Sequence, residues 1–213
     1  MKNEIEYFAG MDVQLKRGCC YYILDNNKKF ISSGWIEENI SQSFKKLFSE
    51  LTDNDPRKVA IGIDSPRMPI KNFRKRSFDK KTNKWIDDKV KRFGRECEVI
   101  IKSYNIANPQ WTRTFEESTD WMKLGYSIFE SLKDFPFVYE VFPSASYRML
   151  ENENVSYELC LNNFDAGVKD MLDASVAAIT VFEFIKGRGC EVGGEDGLGT
   201  IILPRKIEEW MKR

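Results

Sequence analysis

The stretch VAIGIDSPRMP, residues 59–69, constrains the fold more than any other part of the chain. Its first five residues are apolar or glycine, which is typical of a strand buried in a parallel sheet. Asp64 ends this run, and Pro66 and Pro69 follow within five positions, so the strand cannot continue. The stretch therefore predicts a central parallel strand with an acid at its carboxyl end. Taken alone, Asp64 is either a turn residue or a ligand at the sheet edge.

The rest of the chain alternates between strand and helix patterns, which predicts an α/β fold. Asp25, Asn26 and Asn27 form a turn that pairs the second and third strands as a hairpin. Residues 143–166 carry no clear pattern. The predicted elements are strands over 6–14, 19–25, 29–36, 59–64 and 137–142, helices over about 40–53, 113–133 and 168–185, and a glycine-rich turn with a short strand within 191–204.

Length and composition predict one domain that spans residues 1–213, with an insertion at about 67–135 between the fourth and fifth strands. The chain is 42% hydrophobic and can bury a sizeable core. No stretch approaches ~18 uncharged apolar residues, so we expect no membrane span. The first ten residues, MKNEIEYFAG, carry acids where a signal peptide would be apolar. We therefore expect a cytoplasmic protein.

The chain contains no histidine. This excludes Ser-His-Asp and Cys-His nucleophile activation, histidine general bases and imidazole ligands for zinc. Any catalysis must therefore use carboxylates, lysine, hydroxyls, thiols or a metal ion.

Four acids stand where acids are uncommon. Asp12 and Glu140 lie inside predicted strands, where such residues are depleted. Asp64 ends a strand, and Asp173 lies one turn after Asp170 in the last long helix. Each has an ordinary alternative: an exposed edge or bulge for Asp12, a solvated outer position for Glu140, a turn for Asp64, and a favourable position near a helix start for Asp173.

Together, the four acids predict a metal site. If the first strand neighbours the fourth, Asp12 and Asp64 meet at one edge of the sheet, and a helix packed across the sheet adds a further carboxylate. Gathered carboxylates repel one another, and a divalent cation with oxygen ligands, Mg²⁺ or Mn²⁺, removes that penalty. Two such ions roughly 3.5–4 Å apart catalyse in-line displacement at phosphorus without histidine.

Short motifs follow one another in order along nearly the whole chain. They are Gly10-x-Asp12, Ile63-Asp64-Ser65-Pro66, Arg95-x-Cys97-Glu98, Gly125 with Leu132, Tyr139-Glu140-Val141-Phe142-Pro143, Leu172-Asp173-Ala174 with Ala177-Ala178, and Glu195, Gly197 and Pro204 near the end. In this order the chain resembles the RNase H-like superfamily, and within it an uncharacterised family of predicted nucleases, domain of unknown function 429. That family more often has Asp at the position of Glu98.

The resemblance implies an RNase H-like mixed sheet, with three antiparallel strands followed by helix-linked parallel strands and flanked by helices. It also implies a metal-dependent nuclease in which Asp12, Asp64, Glu140 and Asp173 face the metal. One position departs from the family pattern, because Phe142 stands where we expect a histidine or a similar residue.

Residues 70–102 contain twelve Lys and Arg against five Asp and Glu, although the whole chain is neutral. Aromatic residues Phe73, Phe78 and Trp85 interleave with the charges, a mixture that favours nucleic-acid binding. The alternative is a solvated loop that its aromatic residues anchor to the core. Arg95 has a further alternative, a local ion pair with Glu98. The candidate contacts to nucleic acid are Arg74, Lys75, Arg76, Lys80, Lys81 and Arg95.

The sequence thus predicts a Mg²⁺- or Mn²⁺-dependent phosphodiesterase that acts on nucleic acid. A non-catalytic nucleic-acid-binding or assembly module on the same scaffold is the main alternative. An ATP-using enzyme of the actin and sugar-kinase type shares the strand order but needs two such domains, more than 213 residues hold. The glycine-rich segment 193–199 lacks the Lys-Ser/Thr ending of a phosphate loop and a following helix, so we interpret it as a turn before the final strand. An outer-shell acid from Glu195 and Asp196 is left open as a further role of this turn.

Overall fold

The computed structural model describes residues 5–88, 91–151, 153, 155–160 and 167–212. Within these residues the strands are β1 (Tyr7–Asp12), β2 (Cys19–Asp25), β3 (Phe30–Ile36), β4 (Val59–Asp64), β5 (Arg76–Asp79), β6 (Lys84–Asp87), β7 (Val138–Glu140), β8 (Cys190–Gly193) and β9 (Thr200–Leu203). The helices are α1 (Ile40–Leu51), α2 (Glu96–Ser103), α3 (Asp120–Ser131), α4 (Pro143–Leu150), α5 (Val168–Ile185) and α6 (Ile207–Trp210).

Seven strands form one mixed sheet in the order β3-β2-β1-β4-β7-β9-β8. Strands β1, β2 and β3 pair antiparallel, whereas β4 lies parallel to β1, β7 parallel to β4, and β9 parallel to β7. This confirms the α/β fold predicted from the sequence, with three antiparallel strands followed by parallel ones, and it is consistent with an RNase H-like fold. In particular, β1 is the neighbour of β4, as the metal-site hypothesis required.

Alternation along β1 gives the sheet two buried faces. Ala9 and Met11 face a cluster that includes Phe44 of α1 and Ile128 of α3. Phe8 and the residues in phase with it face the opposite side, where α5 crosses β1, β2 and β4. The sheet is therefore covered by α1 and α3 on one face and by α5 on the other.

The insertion predicted over 67–135 lies between β4 and β7, and residues 89–90 fall outside the described part of the chain. It contains the β5–β6 hairpin, α2 and α3, of which only α3 was predicted. The predicted helix over 113–133 begins later, at Asp120. Residues 143–166 contain α4, while 152, 154 and 161–166 lie outside the described residues.

The final segment forms a hairpin in which β8 and β9 pair antiparallel around the glycine-rich turn. The sequence predicted the turn and only one of these strands. None of the helices within the described residues is long and apolar enough to span a membrane.

Candidate metal centre

Asp12 and Asp64 are the last residues of β1 and β4, and the two strands are parallel in a register that pairs these residues. Gly10 and Gly62 form another pair in the same register, two residues earlier. Because side chains alternate along a strand, each acid points to the same face as the glycine that precedes it by two positions. The strand ends therefore bring two carboxylates side by side.

Helix α5 packs directly on the two glycines. A Cβ on Gly10 would lie 1.9 Å from the carbonyl oxygen of Ala174, and a Cβ on Gly62 would lie 3.1 Å from that of Ala177. Glycine at both positions permits this close approach, since any side chain at Gly10 would push the helix away. Asp173, which precedes Ala174 in α5, is thereby held against the carboxyl ends of β1 and β4.

Asp12, Asp64 and Asp173 form what we call the acid triad. Each contributes one carboxylate oxygen, and these three atoms lie within 4.8 Å of one another. Asp12 and Asp173 are only 3% and 6% exposed, and Asp64 is half-buried. Three carboxylates that are far apart in the sequence are thus gathered in a largely dry environment.

The acid triad has few hydrogen-bond donors around it. Nε2 of Gln14 donates to Oδ2 of Asp12 at 3.0 Å, and Nζ of Lys169 donates to Oδ2 of Asp173. The Lys169 side chain is 78% exposed, so water screens its charge. Oδ1 of Asp173 is buried, and no donor among the described residues meets normal hydrogen-bond geometry with it. The hydroxyl of Tyr147 lies near this carboxylate, since burial and then the charge of Asp173 raise the pKa of Tyr147.

The pKa values of two triad residues reflect this environment. Burial, followed by the charges of Asp173 and Asp170, raises the pKa of Asp12 to about 7, although the hydrogen bond from Gln14 opposes the rise. Burial, followed by the charges of Asp12 and Asp173, raises the pKa of Asp64 well above its ordinary value. A bound cation would offset the repulsion that contributes to both raised pKa values.

The residues present fit a divalent metal ion. Oxygen ligands from three carboxylates suit Mg²⁺ or Mn²⁺, and the unpartnered Oδ1 of Asp173 offers a buried lone pair to such an ion. The structure therefore supports a site for a cation.

Glu140 departs from the metal-facing role predicted for it. It lies beside Ile63 in the parallel register of β4 and β7, one position before Asp64, and is 3% exposed. Its carboxylate accepts hydrogen bonds from both terminal nitrogens of Arg95, at 2.6 Å from Nη1, and from the backbone N–H of Arg67 at 2.9 Å. The geometry brings together three of the four predicted acids and pairs the fourth with an arginine.

Arg95, Glu98 and Glu140 form a second buried group, which we call the arginine cluster. Arg95 is 1% exposed, and its Nη2 lies 2.9 Å from Oε1 of Glu98. Its Nε donates to the hydroxyl of Thr112, which in turn donates to Glu98. Burial raises the pKa of Glu140, while the positive charge of Arg95 acts in the opposite direction.

Arg95 is 1% exposed and its guanidinium is enclosed by these partners, although the residue also lines the cavity beside the acid triad, so its contact with nucleic acid stays a prediction. The alternative ion pair with Glu98 is the one that forms. A sequence signal for it exists: Glu98 occupies the third position of α2 and accepts the backbone N–H of Arg95 at 3.0 Å, as capping glutamates do.

The remaining basic candidates differ in their accessibility. Arg74 is largely buried, donates to Asp196 at 2.9 Å and stacks its guanidinium 4.7 Å from the ring of Trp85. Arg76 is exposed and pairs with Asp87 at 3.1 Å. The others keep an accessible side chain; they are Lys75 and Lys81, which are exposed, and Lys80, which is half-buried.

The aromatic residues of the basic segment pack on one another. Phe78 and Trp85 face each other across the β5–β6 hairpin with ring centroids 5.2 Å apart, and Phe78 also lies 6.2 Å from Tyr104. These contacts support the alternative in which the aromatic residues anchor the segment.

The glycine-rich turn lies against α2 and not at the acid triad. Asp196 accepts the backbone N–H of Glu96 at 2.8 Å in addition to its bond from Arg74, and the backbone N–H of Glu195 donates to Glu96 at 2.7 Å. The hypothesis that Asp196 adds an acid to the site is therefore wrong. It caps α2 and ties the turn to the insertion.

A cavity of about 450 Å³ opens beside the acid triad. Asp12, Asp64 and Glu140 form part of its wall. Gln14, Gln110 and Trp121 line the same cavity, although no sequence pattern predicted them there. Their positions depend on loops and on the docking of α3, which leave no periodic signal.

Comparisons of this chain with protein-family models, with curated proteins and with solved structures gave no match. The resemblance to predicted nucleases therefore stays a prediction, and the fold and the site stand on the geometry described above.

Proposed function

We propose that the protein is a metal-dependent phosphodiesterase that acts on nucleic acid. The observation that carries the proposal is the acid triad: three carboxylates converge within 4.8 Å, and one buried oxygen, Oδ1 of Asp173, has no donor in normal hydrogen-bond geometry among the described residues. Acids of this kind destabilise a fold unless they serve a ligand. A cation with oxygen ligands is the ligand that suits them best.

In this proposal Asp12, Asp64 and Asp173 hold Mg²⁺ or Mn²⁺. When bound, such a cation makes water more acidic and offsets the negative charge that develops on phosphate oxygens. Glu140 is held away from this role by Arg95 and positions the chain after β4, because it accepts the backbone N–H of Arg67.

Basic side chains near the triad support a phosphate-containing substrate. Lys169 carries an exposed ammonium next to Asp173, and Lys16 is an exposed residue of the cavity wall. Either group can attract a phosphodiester toward the carboxylates. Lys75 and Lys81 of the insertion offer further exposed positive charge.

The direct test is the Asp12→Asn variant. We expect it to lose Mn²⁺-dependent cleavage of a mixture of DNA and RNA oligonucleotides by at least about 100-fold, since an amide is a poor ligand for a hard cation. Asp134→Asn is the control, because Asp134 is exposed and pairs only with Lys45 among the contacts described. Equal cleavage by the wild type and Asp12→Asn would refute the assignment.

The non-catalytic module remains the second candidate, and one observation favours it. Lys169 already donates to Asp173, so part of the triad's charge is compensated without a metal. A ligand that binds only the folded state raises its melting temperature. A melting temperature that is the same in EDTA, Mg²⁺ and Mn²⁺ would support the module over the enzyme.

A further inference from the structure

We propose that the cavity beside the acid triad holds one unpaired nucleobase of the substrate. This inference rests on the proposed function and extends it, because it names the part of a nucleic acid that the protein would recognise. It follows from the size of the cavity, the chemistry of its wall and its continuity with the triad.

The size of the cavity, about 450 Å³, lies in the range of sites that enclose a small molecule. This is room for a single nucleotide. A base inside a duplex is paired and stacked, so it has to leave the helix before it can enter such a pocket, at a cost that is lowest for single strands. The cavity therefore favours single-stranded or unpaired substrates.

The cavity wall carries aromatic and apolar side chains in addition to the charged groups of Asp12, Asp64, Arg95, Glu98 and Glu140. Trp121, at the start of α3, and Phe142, at the start of α4, are half-buried and line the cavity together with Pro109. Aromatic side chains bind bases of any sequence by stacking on their flat faces. The fold thus places two rings where a base seated beside the acids would lie.

Two side-chain amides are also part of the wall. Gln14 and Gln110 both line the cavity, and Gln110 is exposed. An amide carries two donors and an acceptor, the combination that pairs with the edge of a base. Gln14 also donates one hydrogen bond to Asp12, so it links the base subsite to the triad.

The cavity and the triad are continuous, because Asp12 and Asp64 belong to both. A base seated against Trp121 would leave its own phosphate near these two carboxylates and near Lys16, which lines the same cavity. Base recognition and phosphate chemistry would then act on one nucleotide.

The proposal is tested with 2-aminopurine, a fluorescent base that is quenched when it stacks. Four probes are titrated: a short single strand with one central 2-aminopurine, the same strand in a duplex, the 2-aminopurine 5′-monophosphate, and the uncharged riboside in EDTA. An abasic single strand serves as competitor. Ca²⁺ is used for the charged probes, since it takes the same oxygen ligands.

We expect quenching by the single strand, with binding about tenfold tighter than to the duplex or the abasic competitor, because stacking of one base is worth about that factor. Binding of the monophosphate as tight as the strand would identify free nucleotides as the substrate class. Tighter binding of the strand would identify single-stranded nucleic acid.

Trp121→Ala should abolish the preference for a base, and Trp121→Phe should retain most of it. Trp111→Ala is the matched control, because Trp111 packs on Phe93 with ring centroids 5.7 Å apart and does not line the cavity. The melting temperature of each variant, with and without Mn²⁺, shows that folding and metal binding survive.

The outcomes separate the two proposals. Equal affinity for abasic and base-containing strands, with Mn²⁺ still stabilising the protein, overturns the base subsite and leaves the phosphodiesterase intact. No stabilisation by Mn²⁺ overturns the phosphodiesterase, and the riboside in EDTA then decides the subsite alone: quenching that depends on Trp121 supports it, and no quenching overturns it.

Discussion

Two groups of buried acids lie at the same edge of the sheet, and they are built differently. In the arginine cluster, Glu98 and Glu140 surround one guanidinium and receive further bonds from Thr112 and from backbone N–H groups. In the acid triad, the only cation bonded to a carboxylate is the exposed Lys169 among the described residues. One group contains its own counter-charge, and the other has almost none.

The difference distinguishes a group of acids that stabilises the fold from a group that can bind a cation. A buried carboxylate that is paired with a fixed guanidinium is already neutralised and needs no bound ion. Here the pair also holds α2 and β7 together. A buried carboxylate without such a partner carries a free-energy cost that a bound cation removes. The positions of these acids in the sequence do not reveal which of them has a cationic partner, since Glu140 and Asp64 both end parallel strands that are neighbours in the sheet.

Removal of the counter-charge should have the largest effect. Arg95→Met leaves Glu98 and Glu140 buried without a cation, and we expect the free energy of unfolding to fall by about 3–5 kcal/mol. Urea denaturation measures this change. Arg76→Met is the control: its pair with Asp87 is exposed, so the expected loss is below about 1 kcal/mol. Similar losses in the two variants would remove the basis of the comparison.

Removal of one acid from the triad should raise the free energy of unfolding, whereas Arg95→Met should lower it. In EDTA, Asp12→Asn relieves repulsion and should stabilise the protein at pH 8. If the shift of the pKa from 3.8 to about 7 is converted at about 1.4 kcal/mol per unit, the gain is at most about 4 kcal/mol. Urea denaturation of both proteins between pH 4 and pH 8 tests this.

The sign of the pH dependence follows from the raised pKa. Between about pH 4 and pH 7 the folded protein binds more protons at Asp12 than the unfolded chain does, so the free energy of unfolding falls as the pH rises through this interval. The advantage of Asp12→Asn should therefore grow from pH 4 to pH 7 and then level off. An advantage that is equal at pH 4 and pH 8 would contradict the raised pKa.

A change in the packing of α5 on β1 should have the next largest effect on the free energy of unfolding. Gly10→Ala introduces a Cβ where the carbonyl oxygen of Ala174 would be 1.9 Å away, so α5 has to move. We expect a loss of about 1–3 kcal/mol and a weaker stabilisation by Mn²⁺, because Asp173 moves with the helix. Gly187→Ala is a control for space, since a Cβ there meets nothing within 4 Å, although its positive φ carries its own cost. Unchanged metal binding in Gly10→Ala would show that α5 does not set the triad.

The smallest effect should come from Lys169→Ala. This side chain is exposed, so we expect the free energy of unfolding to change by less than about 1 kcal/mol. Stabilisation by Mn²⁺ should be retained or increased, because Asp173 loses a competing cation. Melting curves in EDTA and in Mn²⁺ measure both quantities, and loss of the Mn²⁺ effect would assign the lysine to the metal site.

The sequence predicted those parts of the fold that repeat a local pattern. β4 and α5 were correct to the residue, because one is a continuous apolar run and the other is a long, largely apolar segment that is buried on all sides over most of its length. The β5–β6 hairpin, α2 and α4 were missed. These elements are short and rich in charged or small residues, and they pack on distant parts of the chain: the hairpin on α2, α2 on β8 and β9, and α4 on α5.

Only part of the site could be predicted, because only part of it follows from local sequence patterns and from the order of the strands. Asp12 and Asp64 could be placed together because parallel neighbours align their carboxyl ends, and Asp173 because α5 crosses them. The pairing of Glu140 depends on Arg95, which lies 45 residues away in the sequence. Arg95 is brought to Glu140 by α2, an element that was not predicted. The cavity residues Gln14, Gln110 and Trp121 could not be predicted, since loop conformation and the docking of α3 determine their positions.

The most direct measurement of the central claim is the anomalous difference density of a crystal soaked in Mn²⁺. The account predicts a peak among the carboxylates of Asp12, Asp64 and Asp173, and none at the arginine cluster. It also predicts that the peak is absent from Asp12→Asn crystals soaked in the same way. Density at Glu98 and Glu140, or no peak at the acid triad at millimolar Mn²⁺, would contradict it.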